Sequence, residues 1–264
     1  MLKEKCRQVE QQMIAWRRDF HQHPELSFQE RRTAEIVARV LQSLGCQVRE
    51  KVNGYGVIGD LNGAHPGPVI ALRADMDALP IAEETGLPYA SQVPGVMHAC
   101  AHDGHMSALL GAATVLSAMR QEIHGTVRFI FQPAEETLPG GAKGMIEQGA
   151  LDGVSAIYGV HLWSELPLGT FRTTLGPMMA AVDNFAIDIF GKGGHGGMPH
   201  HAVDALLAAS HVVMASQHII SRQIDPVESG VITFGKIEAG TTHNVVADKA
   251  GLIGTMRSFS PEVR

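Results

Sequence analysis

Cysteine is scarce in this chain, with three among 264 residues. So small and odd a number excludes a disulfide scaffold and suits a reducing compartment such as the cytoplasm. Positive charge is not in excess either. The 21 Lys and Arg against 27 Asp and Glu leave a net charge of −6, which argues against nucleic acid as the main partner. Long hydrophobic runs are missing. The longest nearly apolar stretch, residues 107–119, falls short of the roughly 20 residues a membrane-spanning helix needs. The opening MLKEKCRQVEQQ has no apolar core of the kind a signal peptide requires, so the expected location is cytoplasmic. There is no G-x-S-x-G nucleophile elbow, no internal repeat and no low-complexity tract. At 45% hydrophobic and 18% charged residues the composition is that of a globular protein. Histidine is plentiful: fourteen residues of the side chain that most often ligates metals.

Hydrophobic periodicity predicts helices over residues 4–22 (Val9, Met13, Trp16, Phe20) and 29–44 (Ala34, Val37, Ala38, Leu41, Leu44). Strand-like runs follow at 47–51, 56–61 and 68–73, then a buried helix of small residues over 105–119, then strands at 126–131 and 156–161. Helices alternating with apolar strands imply an α/β sheet with helices packed on it. The pattern changes near residue 183. Phe185, Ile187 and Ile189 alternate with more polar positions, followed by a Gly/His-rich loop, a helix over about 203–220, and strands near 230–237 and 249–257. That order describes a smaller α+β layer, giving an expected division into residues 1–182 and 183–264.

Four places offer chemistry. The densest is His98-Ala-Cys100-Ala-His102-Asp103-Gly104-His105. In an extended segment residues two apart point the same way, so the Cys100 thiolate and the His102 imidazole are expected to reach one ion. The second is Gln132-Pro133-Ala134-Glu135-Glu136, directly after the strand TVRFIF. Ligands bind at the carboxyl ends of strands in open α/β sheets, and adjacent side chains diverge. One glutamate can therefore hold a cation while its neighbour acts as general base. The third is His161, at the end of AIYGVH, with Asp75 and Asp77 after VIAL and Asp103 after His102 as candidates to orient imidazoles. The fourth is the loop 191–201, which presents His195 and contains a formal G-x-G-x-x-G at Gly191, Gly193 and Gly196. A dinucleotide site there is disfavoured. The preceding strand is half polar, Met-Pro-His-His delays the helix, and no acidic residue follows at the spacing a ribose contact requires.

Taken together, RRDFHQHPELSFQE (17–30), ALRADMDALPI (71–81), MHACAHDGHMSALLGAA (97–113), FIFQPAEE (129–136), YGVHLW (158–163), GKGGHGGMPHHAVDAL (191–206) and THNVVADKAGLIGTMR (242–257) resemble the amidohydrolase branch of the M20 metallopeptidases. That branch includes hippurate hydrolases, N-acyl-amino-acid amidohydrolases and indole-acetyl-amino-acid hydrolases. The resemblance implies a catalytic α/β domain with a mixed sheet flanked by helices, plus a lid that is also a dimerisation surface. It implies that Cys100, His102, Glu136 and His161 ligate two divalent metal ions, with zinc, manganese and cobalt all compatible. It implies that Glu135 is the general base, that His195 reaches the partner subunit's site to stabilise an oxyanion, and that Asn244 and Arg257 hold a small N-acyl amino acid substrate.

The family also has a C-terminal segment that returns to the catalytic domain and supplies a last histidine ligand, whereas no histidine follows His243 here. Ser260-Pro261-Glu262 reads as the first turn of a helix. The expectation is a truncated form of a normal amidohydrolase. The rival readings are a catalytically impaired fragment that keeps the fold and the dimerisation surface and, in third place, a nicotinamide-dependent oxidoreductase using Gly191–Gly196.

Overall fold

The computed structural model describes residues 2–264. Backbone contacts group the chain into two compact units that meet in sequence at Pro167 and Leu168.

In the first unit, α1 (Leu2–Gln22) and α2 (Arg31–Ser43) precede the strands β1 (Gln47–Val52), β2 (Gly56–Asn62) and β3 (His65–Asp75). Then come α3 (His102–Ser117), β4 (His124–Gln132), α4 (Gly141–Glu147) and β5 (Val154–Gly159). The sheet order is β1-β2-β4-β3-β5. The β1/β2 and β2/β4 pairs are antiparallel, while β3 runs parallel to both β4 and β5. This is the α/β sheet with packed helices that the periodicity implied, and its mixed pairing is the one implied by the resemblance to the M20 metallopeptidases.

Side-chain alternation explains the layering. Phe129 and Phe131 of β4 point to one face, where they pack with Val37, Ala38 and Leu41 of α2 and with Met106 and Leu110 of α3. Ile130, between them, points to the other face and packs with Met145 of α4. The spacing of Ala34, Val37, Ala38 and Leu41 gives α2 its single buried stripe. The small residues of α3 have a steric reason. A Cβ on Gly111 would stand 2.5 Å from Met13 Sδ of α1, so the Met13 side chain packs directly against the glycine and would have to shift for any larger residue.

The helix predicted from residue 105 begins three residues earlier, at His102. Its preceding residue, Ala101, is left-handed at φ 62°. The segment holding Cys100 and His102 is therefore not extended as expected: the chain turns sharply between them. The short helix α4 carries too little periodic pattern to be read from sequence.

The second unit holds β6 (Ala181–Phe190), β7 (Gly194–His195), α5 (Ala205–Arg222), β8 (Gly230–Ala239), β9 (Val245–Val246) and β10 (Lys249–Ser258). An antiparallel sheet of order β6-β10-β8 is accompanied by a two-stranded β7-β9 ribbon. Ala205 and Ala209 of α5 pack on Ala250 and Leu252 of β10, bordered by Ile187, Ile189 and Phe234. Asp204 caps α5 by accepting the Leu207 N–H at 3.0 Å. Among the described residues no helix is long and apolar enough to cross a membrane.

Phe131 is fully buried at the centre of the first unit's helix-covered face. Truncating it (Phe131→Ala) is expected to cost about 3–5 kcal/mol, read as a lowered urea midpoint. Fluorescence of Trp16 and Trp163, both in this unit, would report it. A midpoint within error of wild type would mean that this face is not closed.

Candidate metal centre

Because β3, β4 and β5 are parallel, the segments leaving their carboxyl ends emerge on the same edge of the sheet. Asp75 ends β3 opposite Gln132, which ends β4. Asp77 follows the first, Glu135 and Glu136 follow the second, and His161 lies two residues beyond β5. The first turn of α3 brings His102.

His102 is the common member of three clusters. In each of Cys100/His102/His161, His102/Glu135/Glu136 and Asp75/His102/His105, one potential ligand atom per residue lies within 4.8 Å of the others. Cys100, His102, Glu135, Glu136 and His161, drawn from three separate segments, are thus brought together. His102 is 1% exposed. Its Nδ1 donates to the Asp77 main-chain oxygen at 2.7 Å, and its Nε2 is buried without a hydrogen-bond partner. His161 is arranged alike: Nδ1 donates to the Leu162 main-chain oxygen at 2.6 Å, and Nε2 stands 3.5 Å from Cys100 Sγ. In both residues the main-chain bond selects the tautomer and leaves the other nitrogen facing the cluster.

The local field is negative. Burial pushes the Cys100 thiol up to about 12, and the Glu136, Asp75 and Glu135 carboxylates add to it. The Glu135 carboxyl is raised by burial and by the charges of Glu136 and Asp75. His102 is raised as well: burial opposes its charge, but the Asp77 bond and the charges of Asp75, Asp77 and Glu136 prevail. An orphaned imidazole nitrogen, a thiol, a second imidazole and two carboxylates in such a field are a donor set that fits a divalent cation with mixed S, N and O preference.

Around these residues runs a set of supporting bonds. Asp77 Oδ1 accepts the Glu135 N–H and Oδ2 the Glu136 N–H, each at 3.0 Å, and Oδ2 also accepts the Ser27 hydroxyl at 2.6 Å. Burial would raise the Asp77 carboxyl, but the His102, Ser27, Glu136 and Glu135 donors outweigh it and hold it at about 2. Asp75 Oδ1 accepts His105 Nδ1–H at 2.7 Å, and Oδ2 accepts from Arg73 at 2.6 Å. Burial pushes Asp75 up, yet the His105 bond and the charges of Arg73 and His102 keep it well below the usual carboxylate range. Asp103 Oδ2 lies 2.9 Å from His21 Nδ1 and 3.3 Å from Arg17 Nε.

Sequence reading missed His105 and Arg73. His105 Nε2 accepts the Leu162 N–H at 2.8 Å, so this neutral imidazole links Asp75 to the main chain beside His161. Its position three residues after His102, on the same face of one helix, was the available signal. Arg73 also donates through Nε and Nη2 to Gln132 Oε1 at 2.9 and 2.7 Å, tying β3 to β4 at the edge of the site.

The second unit carries His195, Asn244 and Arg257. His195 pairs with Val245 across the β7-β9 ribbon, and the Gly196 N–H donates to the Asn244 main-chain oxygen at 2.8 Å. Both side chains belong to exposed residues lining a groove of about 430 Å³. His195 Nδ1 accepts the Gly197 N–H at 3.0 Å, which leaves Nε2–H as a free donor. Arg257, on β10, bonds to Thr255 Oγ1 and to the Met256 main-chain oxygen and does not line that groove.

Residues 71–258 match the model of peptidase family M20/M25/M40. An N-acyl-L-amino acid amidohydrolase of Geobacillus stearothermophilus is 49% identical over 257 residues, covering 97% of this chain and 70% of that one. An N-acetyl-L-cysteine deacetylase of Bacillus subtilis is 46% identical over 256 residues, covering 97% and 61%. Among solved structures, Bacillus subtilis YXEP, described as a dinuclear metal binding peptidase from the M20 family, matches with a TM-score of 0.82 and 42% identity, over 98% of this chain and 67% of that one. The chain thus spans about two thirds of the length of the relatives it matches. With a family model over most of its residues and relatives of this identity over nearly all of them, the chain belongs to the M20/M25/M40 peptidase family.

Proposed function

We propose that this chain carries the catalytic centre of a metal-dependent amidohydrolase that splits N-acyl amino acids into a carboxylate and a free amino acid. The observation that carries the reading is the buried, unpartnered His102 Nε2 amid the Cys100 thiol, the His161 imidazole and the Glu135 and Glu136 carboxylates. The substrate class is supported by the amidohydrolase and deacetylase relatives.

In this reading Cys100, His102, Glu136 and His161 hold two divalent ions, which when bound would acidify water and polarise the scissile carbonyl. Glu135 is the general base. Its carboxylate, made more basic than usual by burial and by Glu136, takes a proton from the attacking water and returns it to the amine nitrogen as the C–N bond breaks. Asp77 fixes the main chain of both glutamates, so base and ligand keep their divergent directions. His105 and Asp75 hold the His161 segment.

The second unit is read as the lid and dimerisation surface. His195, whose Nε2–H is free to donate, stabilises the oxyanion in the partner subunit's site, while Asn244 and Arg257 hold the substrate, Arg257 being suited to its carboxylate. Support for an interface comes from the exposed apolar residues Leu206, Leu207 and Met214 of α5.

Glu135→Gln is expected to lower hydrolysis of N-acetyl and N-benzoyl amino acids by about 100-fold or more while leaving bound metal, measured by elemental analysis, unchanged. Unaltered turnover would remove Glu135 from the role of base. Cys100→Ala is expected to lower the metal content itself, and full occupancy in that variant would refute ligation.

A further inference from the structure

The stretch RRDFHQHPELSFQE ends in a buried carboxylate that the proposed mechanism does not use. Glu30 is fully buried. Its Oε1 accepts the Ala134 N–H at 2.7 Å, across 104 residues of sequence, and its Oε2 is buried with no partner. A buried carboxylate is costly: burial raises the Glu30 carboxyl even though the N–H groups of Glu30 itself, Ala134 and Phe28 act to lower it. Capping α2 does not account for it. Glu30 precedes that helix but makes no side-chain cap bond, and Glu25 does this instead by accepting the Arg32 and Thr33 N–H groups at 3.0 and 2.8 Å.

The peptide Glu30 holds is unusual. Ala134 is fully buried and left-handed at φ 47°, a conformation that a residue with a Cβ seldom adopts. Its N–H goes to Glu30, and its oxygen accepts the Gly141 N–H at 2.9 Å. The next two N–H groups, of Glu135 and Glu136, go to the two oxygens of Asp77. Three successive N–H groups therefore converge on two buried carboxylates, and such charge-assisted bonds are stronger than neutral ones. Without Glu30, the turn at Ala134 loses the bond that offsets its strain, immediately before Glu135.

We infer that Glu30 is a positioning residue for the base: it pins the left-handed turn at Ala134 and so sets the direction from which the Glu135 carboxylate enters the site. The inference rests on the reading of Glu135 as the base, since a displacement of the order of 1 Å at a reacting group costs about 100-fold in rate.

The test compares Glu30→Ala with Glu30→Gln, whose amide oxygen still accepts the Ala134 N–H. Glu30→Ala is expected to speed amide hydrogen exchange at Ala134–Glu136 by about tenfold or more, with α3 and β8 unchanged, and Glu30→Gln to retain most of the protection. On N-acetyl amino acids, Glu30→Ala is expected to lower kcat by about tenfold or more with KM within about twofold, and Glu30→Gln to restore most of it. Wild-type exchange at Ala134–Glu136 in Glu30→Ala, or a Glu30→Gln variant as impaired as Glu30→Ala, would overturn the inference. Should both variants fail to fold, scalar coupling between the Ala134 amide and the Glu30 carboxyl carbon in the unmodified chain decides: its presence supports the bond and its absence ends the proposal. The two readings fail separately. Loosened exchange in Glu30→Ala beside an active Glu135→Gln removes the base and keeps the anchor, and the reverse pair of results removes the anchor alone.

Discussion

The parallel pairing of β3 with β4 and β5 is the constraint on which the first unit turns. It places Asp75 opposite Gln132 and Arg73 opposite Gly159, so three polar segments leave one edge of the sheet together. The same register puts Phe129 and Phe131 beneath the helices and Ile130 on the opposite face. A one-residue slip would reverse all three and also separate Asp77 from the glutamates it holds. Core and site are thus set by a single choice of register, and the apolar burial that stabilises one maintains the other.

Within that frame Asp77 is the node. Its carboxylate holds the Glu135 and Glu136 peptides and the Ser27 hydroxyl, while its main-chain oxygen chooses the His102 tautomer. Asp75 performs the parallel task through His105, which reaches the main chain next to His161. Two aspartates separated by one residue at the end of one strand therefore orient elements contributed by three other segments.

How much of this is legible in the sequence depends on the range of the interaction. The amphipathic stripe of α2, the apolar runs of β3 and β4 and the alternation in β6 are local patterns, and the elements appear where those patterns lie. The cluster around Cys100 and the Glu135-Glu136 pair stand out because their residue types are rare together. The turn at Ala101 is not legible, since alanine carries no signal for a left-handed conformation. Glu30 and Ala134 are 104 residues apart, and no periodicity marks such a bond. Gly111 reads as a weak point in a helix until Met13 is seen against it.

The two aspartates are kept ionised by different sets of partners. Burial works against both, but Asp77 is held low by His102, a hydroxyl and two peptide N–H groups, and Asp75 by the His105 bond and the charges of Arg73 and His102. At Asp77 the peptide and hydroxyl donors stabilise the ionised form without adding a full positive charge, whereas Asp75 also pairs with the Arg73 guanidinium. Burial, with the Glu136, Asp75 and Glu135 carboxylates adding to it, raises the Cys100 thiol to about 12, and burial with the charges of Glu136 and Asp75 lifts the Glu135 carboxyl. If Cys100 ligates as proposed, a thiol so placed would ionise at neutral pH only as a cation replaces its proton, which would tie metal binding to proton release. The negative potential that favours the cation is the same one that makes Glu135 a stronger base than an isolated glutamate. Metal affinity and basicity would thus both draw on Glu136 and Asp75, the carboxylates that add to burial at the thiol and at the base alike.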